Sequence, residues 1–287
     1  MKKPISPLRQ RMIDDMTFRN MSPSTMKVYS YAVANLSAFH RRSPDKLGIE
    51  EVRAYRLHLI KRGLKASSIN PIVGALRFFY GTTLGQKELA EQIPFARKDD
   101  ALPAVLSREQ VMQLLRAEPN LKMRTAFTTI YAAGLRVSEV VALTVRDIDS
   151  ARMVIRIQQA KGRKDRYVML SEQLLAILRA HWKRTHPPHW LFPGPDLSKP
   201  VTTRSLQRSF RSAADAVGLE DEVTVHALRH SFATHLLEQG VDIRIIQDLL
   251  GHRQITSTTR YARVALDLIR QIQSPLESLN LDGMTPA

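Results

Sequence analysis

The sequence predicts a mainly helical protein of two domains, of which the second is α+β and contains one small β-hairpin. Apolar residues recur at helical spacing along most of the 287-residue chain. Two short β-favouring runs, 153–157 and 167–170, flank a segment with the composition of a hairpin turn. A polar stretch ending at Pro103 interrupts the helical pattern and is typical of an interdomain linker.

The first domain, residues 1–98, is predicted to be a bundle of short helices. One apolar series at helical spacing comprises Met26, Tyr29, Val33, Leu36 and Phe39. Gly63 and Gly81 are expected to end helices. The aromatic residues lie at core spacing, so we interpret them as packing residues rather than as platforms for nucleic-acid bases.

After a linker over 99–106, the second domain is predicted to span 107–287. It begins with helices from Ser107 and from Leu121, and the hairpin follows. Further helices are predicted over 171–186, 203–217, 225–239 and 242–250. The last residues form an amphipathic tail whose apolar positions are Leu266, Ile269 and Ile272.

The charge of the chain favours a polyanionic partner. Lys and Arg number 43 against 27 Asp and Glu, giving a formal net charge of +16. Residues 1–98 hold 18 basic and 7 acidic residues, for a net charge of +11, whereas the remainder carries only +5. Such an excess favours phosphate contacts and counterion release, so double-stranded DNA is the leading candidate partner.

Composition excludes several other classes of function. The chain has no cysteine, which excludes disulfides, a thiol nucleophile and cysteine-ligated metals. No apolar run approaches the roughly 18 residues that span a bilayer, and no apolar signal core follows the first residues. We therefore expect a cytoplasmic protein without membrane contacts. The histidines lack carboxylates at ligand spacing and are interleaved with arginines, so no metal site is predicted.

His226 and Arg229 form the first candidate site. They lie three residues apart at the predicted start of a helix, which places both cationic side chains on one face near free backbone amides. That arrangement suits a phosphate. In isolation, a His-x-x-Arg pair is more often an ordinary surface pair. His230 and His235, on the same helix, are interpreted as structural.

Arg136 lies in a turn between two predicted helices. Gly134 ends one helix and Ser138 is expected to cap the next, so the guanidinium would lie beside a helix N-terminus. Glu139 is placed to orient it. Farther along, His252 follows a predicted helix end and Tyr261 lies in a basic context. On its own, Tyr261 is more often a packing residue.

These segments occur together in one order. They are Gly-Leu-Arg-Val-Ser-Glu at 134–139, Lys161 in the hairpin turn, His-Ala-Leu-Arg-His at 226–230, Leu-Gly-His at 250–252 and Thr-Arg-Tyr at 259–261. The ordered set, within residues 107–264, resembles the tyrosine recombinase or phage integrase family, especially its Xer-like and transposon-associated members. The first 98 residues resemble the core-binding domain of that family only loosely.

The resemblance implies an enzyme that cuts and rejoins DNA through a covalent 3′-phosphotyrosyl intermediate. Tyr261 would be the nucleophile, while Arg136 and Arg229 would hold the nonbridging phosphate oxygens. His226 would take part in proton transfer at the tyrosine, and His252 would donate a hydrogen bond to the phosphate. Neither a metal ion nor ATP would be required for strand exchange.

Lys161 is the implied proton donor to the departing 5′ oxygen. Its turn also holds Arg163 and Lys164, with Arg166 close behind, and any of these cations could instead make plain phosphate contacts. We therefore expect Arg163, Lys164 and Arg166 to bind DNA.

The resemblance also implies an assembly of four protomers on two DNA sites, with the two domains of each protomer clamping the duplex. The tail after Tyr261 would dock either on its own domain or on a neighbour. Two other functions stay open at this point: a type IB topoisomerase that relaxes supercoils, and a DNA-binding regulator without enzymatic activity. The DNA target, and the choice between integration or excision and resolution, cannot be inferred from the chain.

Overall fold

The computed structural model describes residues 5–97, 104–160 and 164–251, together with Ser274 and Glu277. The chain divides into two compact units, residues 1–101 and 102–287, each with its own hydrophobic core. Helices dominate both units, and a three-stranded sheet lies in the second. The predicted fold class is confirmed.

Five α-helices form most of the described part of the first unit. They are α1 (Pro7–Phe18), α2 (Pro23–His40), α3 (Ile49–Lys61), α4 (Ala66–Phe78) and α5 (Lys87–Glu91). Helix α2 begins where the hydroxyl of Ser22 accepts a hydrogen bond from the backbone N–H of Thr25, with Pro23 in the first turn. The expectation that the aromatic residues of this unit pack inward holds only in part, because Tyr55, Phe79 and Tyr80 are buried but Phe18, Tyr31, Phe39 and Phe95 are exposed.

Gly81 does not end a helix, contrary to the prediction. A π-helical segment, Phe79–Thr83, continues directly from α4 through this glycine. A Cβ atom at position 81 would lie 3.1 Å from the Cβ of Ala90 in α5. The glycine therefore serves the close approach of α5 rather than a break in the chain.

Seven helices belong to the described part of the second unit. They are α6 (Arg108–Ala117), α7 (Leu121–Ala133), α8 (Val137–Val141), α9 (Glu172–Thr185), α10 (Thr203–Ala216), α11 (His226–Glu238) and α12 (Ile243–Leu250). The predicted starts of α6 and α7 and the predicted bounds of α9 to α12 agree with these to within two residues. Helix α6 begins at the predicted cap, because the Ser107 hydroxyl accepts from the backbone N–H of Gln110.

The sheet contains the predicted hairpin and one additional strand. Strands β2 (Val154–Ala160) and β3 (Lys164–Met169) pair antiparallel, and β1 (Ile148–Asp149) adds to the other edge of β2. The sequence analysis missed β1 because a two-residue strand carries no periodicity. The turn residues 161–163 lie outside the described part of the chain.

Helix α7 lies at the centre of the second core and ends at a glycine that shapes the site. Gly134 adopts a left-handed conformation with φ of 62°, and a Cβ there would lie 2.5 Å from the Phe232 ring of α11. Only glycine meets both requirements. The end of α7 is thus packed against α11, so the turn that carries Arg136 lies beside the helix that carries Arg229.

Candidate active site

The described residues bring five of the predicted site residues together. Arg136 and Glu139 belong to the turn and first residues of α8, Arg166 to β3, and His226 and Arg229 to α11. The other predicted residues, Lys161, Arg163, His252 and Tyr261, lie outside the described residues, as does the side chain of Lys164.

Arg136 is itself the residue that precedes α8, so the expected cap at Ser138 is wrong. Helix α8 already begins at Val137, which places Ser138 inside its first turn. The Glu139 carboxylate accepts a hydrogen bond from the backbone N–H of Arg136 at 2.8 Å and from its Nη1 at 2.6 Å. A carboxylate reaching back from the third helical residue thus replaces the hydroxyl as the cap and also orients the guanidinium.

Glu139 is the centre of a cluster of arginines. Its two carboxylate oxygens accept from Nη1 and Nη2 of Arg166 at 2.8 and 2.7 Å, a bidentate pair. Nη1 of Arg229 lies 3.7 Å from Oε2. Three guanidinium groups, from α8's turn, β3 and α11, therefore surround one carboxylate that is 8% exposed.

Glu139 is ionised throughout the physiological range. Burial on its own would raise the pKa of Glu139, but hydrogen bonds and charge from Arg166, followed by hydrogen bonds from Arg136, lower the pKa from 4.5 to about 2. A lowered folded-state pKa stabilises the protein above the unfolded value. This stabilisation, about 3 kcal/mol, is lost as the pH falls from 4.5 to about 2.

We expect Glu139→Gln to destabilise the second unit by about 3 kcal/mol or more at pH 7, because it leaves buried guanidinium groups without their carboxylate. Urea unfolding at pH 7 measures the loss. The difference from wild type should shrink as the pH approaches 2, where Glu139 itself becomes protonated.

The matched control is Asp215→Asn. Asp215 also binds an arginine, Arg211, but its side chain is 58% exposed. Exposed pairs contribute about 0–1 kcal/mol, so the control should unfold close to wild type. Equal stability of Glu139→Gln and wild type at pH 7 would contradict the central role of this carboxylate.

Arg229 is buried at 5% exposure and connects the ends of two helices. Its Nη1 donates to the carbonyl of Gly134, at the end of α7, and its Nη2 to the carbonyl of Leu250, at the end of α12, both at 2.6 Å. Burial, and then the charge of Arg136, lower the pKa of Arg229 to about 9, with Glu139 opposing. The side chain is therefore a cation at neutral pH, held rigidly.

The end of α12 is held by three arginines in succession. Nε of Arg166 donates to the carbonyl of Leu249 at 2.9 Å, Nη2 of Arg229 to that of Leu250, and Nη2 of Arg136 to that of Gly251 at 3.3 Å. The last carbonyls of a helix lack partners within it and carry partial negative charge. The backbone immediately before His252 is thereby tied to the same arginines that surround Glu139.

His226 begins α11 and has an exposed side chain. Partial burial, and then the charges of Arg229 and Arg136, lower the pKa of His226 below 6.5. The imidazole is therefore neutral at pH 7 and available as a proton acceptor. His235, in contrast, is buried, and its Nδ1 hydrogen-bonds to the Tyr131 hydroxyl at 2.8 Å, which fits a structural role.

A cleft of about 950 Å³ opens beside Arg136. Its polar lining residues include Arg146, Arg156, Gln158, His189 and Trp190. Arg146 and Arg156 are both exposed, and Arg156 pairs with Asp165 across the hairpin. The cleft thus places Arg146 and Arg156 next to the arginine cluster, with the Asp147 carboxylate also in its lining.

The two described residues of the tail contact the same chain. The hydroxyl of Ser274 donates to the carbonyl of Ala132 in α7, and a carboxylate oxygen of Glu277 accepts from the backbone N–H of Gln173 at 3.4 Å. The apolar positions Leu266, Ile269 and Ile272 lie outside the described residues.

Among the described residues, no group of three or more His, Cys, Asp and Glu side chains is arranged to hold a metal ion. Within the same part of the chain, no helix is both long and apolar enough to cross a membrane.

Comparison with known families identifies the family to which this chain belongs. Residues 104–267 match the model of the phage integrase family, and residues 8–89 match the phage integrase N-terminal SAM-like domain. The chain belongs to the phage integrase family. It is a tyrosine-type site-specific DNA recombinase, as the resemblance predicted.

Two relatives cover most of both chains. A putative integrase/recombinase of Sinorhizobium fredii, y4qK, is 44% identical over 98% of this chain and 92% of its own length. The tyrosine recombinase XerA of Thermococcus kodakarensis is 34% identical over 88% of this chain and 89% of its own length.

Solved structures agree on the fold. A lambda integrase dimer bound to a core site superposes with a TM-score of 0.70 at 19% identity, covering 86% of this chain and 94% of that one. The Tn1549 transposon integrase in complex with transposon right-end DNA gives a TM-score of 0.69 at 18% identity, covering 92% and 99%.

Sequence reasoning assigned Arg166 to DNA and missed its buried contacts. The signal was present in the two-residue period of β3, because Arg166 lies on the same strand face as buried Val168. The carbonyl contacts at the end of α12 and the cleft carried no comparable signal, since they join segments far apart in the recombinase sequence.

Proposed function

We propose that the recombinase cleaves DNA by attack of Tyr261 on a phosphodiester held by Arg136 and Arg229. The observation that carries this proposal is the convergence of both arginines on Glu139 and on the backbone just before His252. Arginine forks match the geometry of phosphate oxygens and stay charged when buried. Tyr261 follows His252 by nine positions in the chain.

In the proposed reaction, the Tyr261 hydroxyl oxygen bonds to phosphorus as the bond from phosphorus to the 5′ oxygen breaks. His226 accepts the phenolic proton, and Lys161 donates a proton to the leaving 5′ oxygen. His252 donates a hydrogen bond to the phosphate. The reverse attack by a 5′ hydroxyl of another strand restores a phosphodiester, so the bond energy is conserved and ATP is not consumed.

We propose that the cleft beside Arg136 receives the DNA backbone next to the cleaved phosphate. The double variant Arg146→Gln/Arg156→Gln should weaken duplex binding and reduce the slope of log affinity against log salt by about 2, one unit for each lost phosphate contact. Titrations at several salt concentrations measure this slope.

The matched control for the cleft is Arg152→Gln, which removes one exposed arginine of the second unit that pairs with Asp149. Arg152 is absent from the cleft lining. An unchanged salt slope in the double variant would show that the cleft does not hold DNA.

Cleavage is also proposed to need no metal. Arg136, Arg229 and Lys161 supply positive charge that a magnesium ion otherwise provides at a phosphoryl group. Adduct formation on a duplex site should therefore proceed in EDTA at the rate seen with added Mg²⁺. A cleavage step that stops in EDTA and resumes with Mg²⁺ would contradict this proposal.

The remaining proposals concern assembly and cellular context. Strand exchange joins two duplexes, so we propose four protomers on two sites, with residues 1–98 contributing affinity through their net charge of +11. The contacts of Ser274 and Glu277 favour docking of that part of the tail on its own domain. A DNA substrate is consistent with a cytoplasmic location.

Recombination between two sites, assayed beside relaxation of a supercoiled plasmid without sites, tests the function as a whole. A recombinase yields recombinant products at its sites and leaves the other plasmid supercoiled. Relaxation without recombination would identify a topoisomerase, and DNA binding without either activity would identify a regulator.

A further inference from the structure

Arg166 is the arginine of the cluster that the proposed reaction does not use. Its side chain is 11% exposed, and each of its three nitrogens donates a hydrogen bond within the chain. Nη1 and Nη2 bind Glu139, and Nε binds the carbonyl of Leu249. Its aliphatic part lies beside Gly251, where a Cβ would be 3.1 Å from Cδ of Arg166.

We propose that Arg166 is a positioning residue of the recombinase: it fixes the Glu139 carboxylate and the end of α12, and through them Arg136 and the backbone up to Gly251. This inference rests on the proposed function, since it assigns a task to Arg166 in the same site. It replaces the direct DNA contact expected from the sequence.

The contacts of Arg166 join three parts of the site. Arg166 is the third residue of β3 and follows Lys161 by five positions in the chain, while its partners Glu139 and Leu249 lie on α8 and α12. Through Glu139 it reaches Arg136, whose Nη1 binds the same carboxylate oxygen, Oε1, as Nη1 of Arg166. Movement of β3 relative to α12 would therefore displace both the carboxylate and the backbone before His252.

Three of the five N–H donors of Arg166 are engaged in these bonds, and its side chain is only 11% exposed. Turning the guanidinium toward a phosphate would break them, leaving a buried carboxylate with fewer donors and the helix-end carbonyl of Leu249 unpaired. Arg136 is more exposed, at 19%, and donates to Glu139 through only one guanidinium nitrogen. Exposure therefore favours Arg136 over Arg166 for contact with the phosphate, whereas the side chain of Arg229, at 6%, is as buried as that of Arg166 and also holds the end of α12.

Lysine cannot replace Arg166 in this task, because an ammonium is a point charge without a planar fork. A residue needed only for its charge would be rescued by lysine. Misplacement of reacting groups by about 1 Å costs on the order of 10²-fold in rate. We expect Arg166→Lys and Arg166→Gln each to slow cleavage by about that factor, with no rescue by lysine.

The test measures three quantities for wild type, Arg166→Lys and Arg166→Gln in the full chain. These are duplex affinity, its salt slope, and the single-turnover rate of adduct formation at saturating DNA, on a nicked substrate that traps the adduct. Circular dichroism establishes that each variant is folded at the assay temperature. Affinity and salt slope should match wild type, and only the rate should fall.

Arg211 offers a matched control for the loss of an arginine network. It binds the Asp215 carboxylate and the backbone carbonyls of Leu219 and Glu220, and these three partners lie outside the site. Arg211→Lys and Arg211→Gln should cleave at the wild-type rate. A rate loss in these variants equal to that at Arg166 would show a general effect of stability and overturn the proposal.

Three further results would overturn it. A wild-type rate in Arg166→Lys would show that charge alone suffices. A salt slope reduced by about 1, with a normal cleavage rate at saturating DNA, would show that Arg166 contacts a DNA phosphate directly. Failure of both variants to fold would assign the residue to domain stability. The wild-type measurement distinguishes failure of this proposal from failure of the proposed function. Absence of a Tyr261 adduct in wild type would contradict the proposed function and not the role of Arg166.

Discussion

Replacing Tyr261 by phenylalanine should abolish the covalent protein–DNA adduct and leave duplex binding nearly unchanged. In the proposed reaction, the variant lacks the oxygen that attacks phosphorus, whereas the arginines and the basic surface proposed to hold DNA are unchanged. Removal of an enzymatic nucleophile costs about 10⁴-fold or more in rate. Denaturing gel electrophoresis of the reaction with labelled DNA measures the adduct directly.

Tyr167→Phe is the control for this prediction. Tyr167 lies on β3 next to Arg166 and is 38% exposed, so it is a second tyrosine of the same domain within the site region. This variant should form the adduct at the wild-type rate. An adduct in Tyr261→Phe, or its loss in Tyr167→Phe, would assign the attack to a different residue.

Arg136→Lys and Arg229→Lys should each slow cleavage by about 10²–10³-fold, because in the proposed reaction each arginine supplies donors to the charge that develops on the phosphoryl oxygens. Lysine retains the charge but not the bidentate geometry. Single-turnover cleavage at saturating DNA measures this effect without a contribution from affinity.

The two arginines differ in what their replacement does to folding. Arg229 is buried between Gly134 and Leu250, so Arg229→Lys should also lower the free energy of unfolding. Arg136 is more exposed, so Arg136→Lys should lower the free energy of unfolding by less. Arg136→Lys is therefore the cleaner test of catalysis. If it cleaves at the wild-type rate while folded, Arg136 does not hold the phosphate.

Local sequence patterns predicted most of the fold. Helical periodicity and end signals such as Ser107 and Gly251 located the helices of the second unit, because those signals act within a few residues. The expected helix ends were wrong at Ser138 and Gly81, where another contact replaced the local signal. Glu139 caps α8 in place of Ser138, and close packing against α5 explains Gly81.

The site was only partly predictable. Residue types and order identified Arg136, Glu139, His226 and Arg229, and the structure brings these together. The contacts to the carbonyls of Leu249, Leu250 and Gly251 depend on how α12 packs against α7 and β3. No single segment encodes that packing, so the supporting role of Arg166 emerged only from the fold.

Mapping the residue that becomes linked to DNA tests the central claim most directly. The wild-type recombinase would be trapped on a nicked site in EDTA, digested with protease and analysed by mass spectrometry. The proposed reaction predicts one linked peptide, with Tyr261 joined to a DNA 3′ phosphate. Linkage to another residue, linkage to a 5′ phosphate, or the absence of any linked peptide would contradict it.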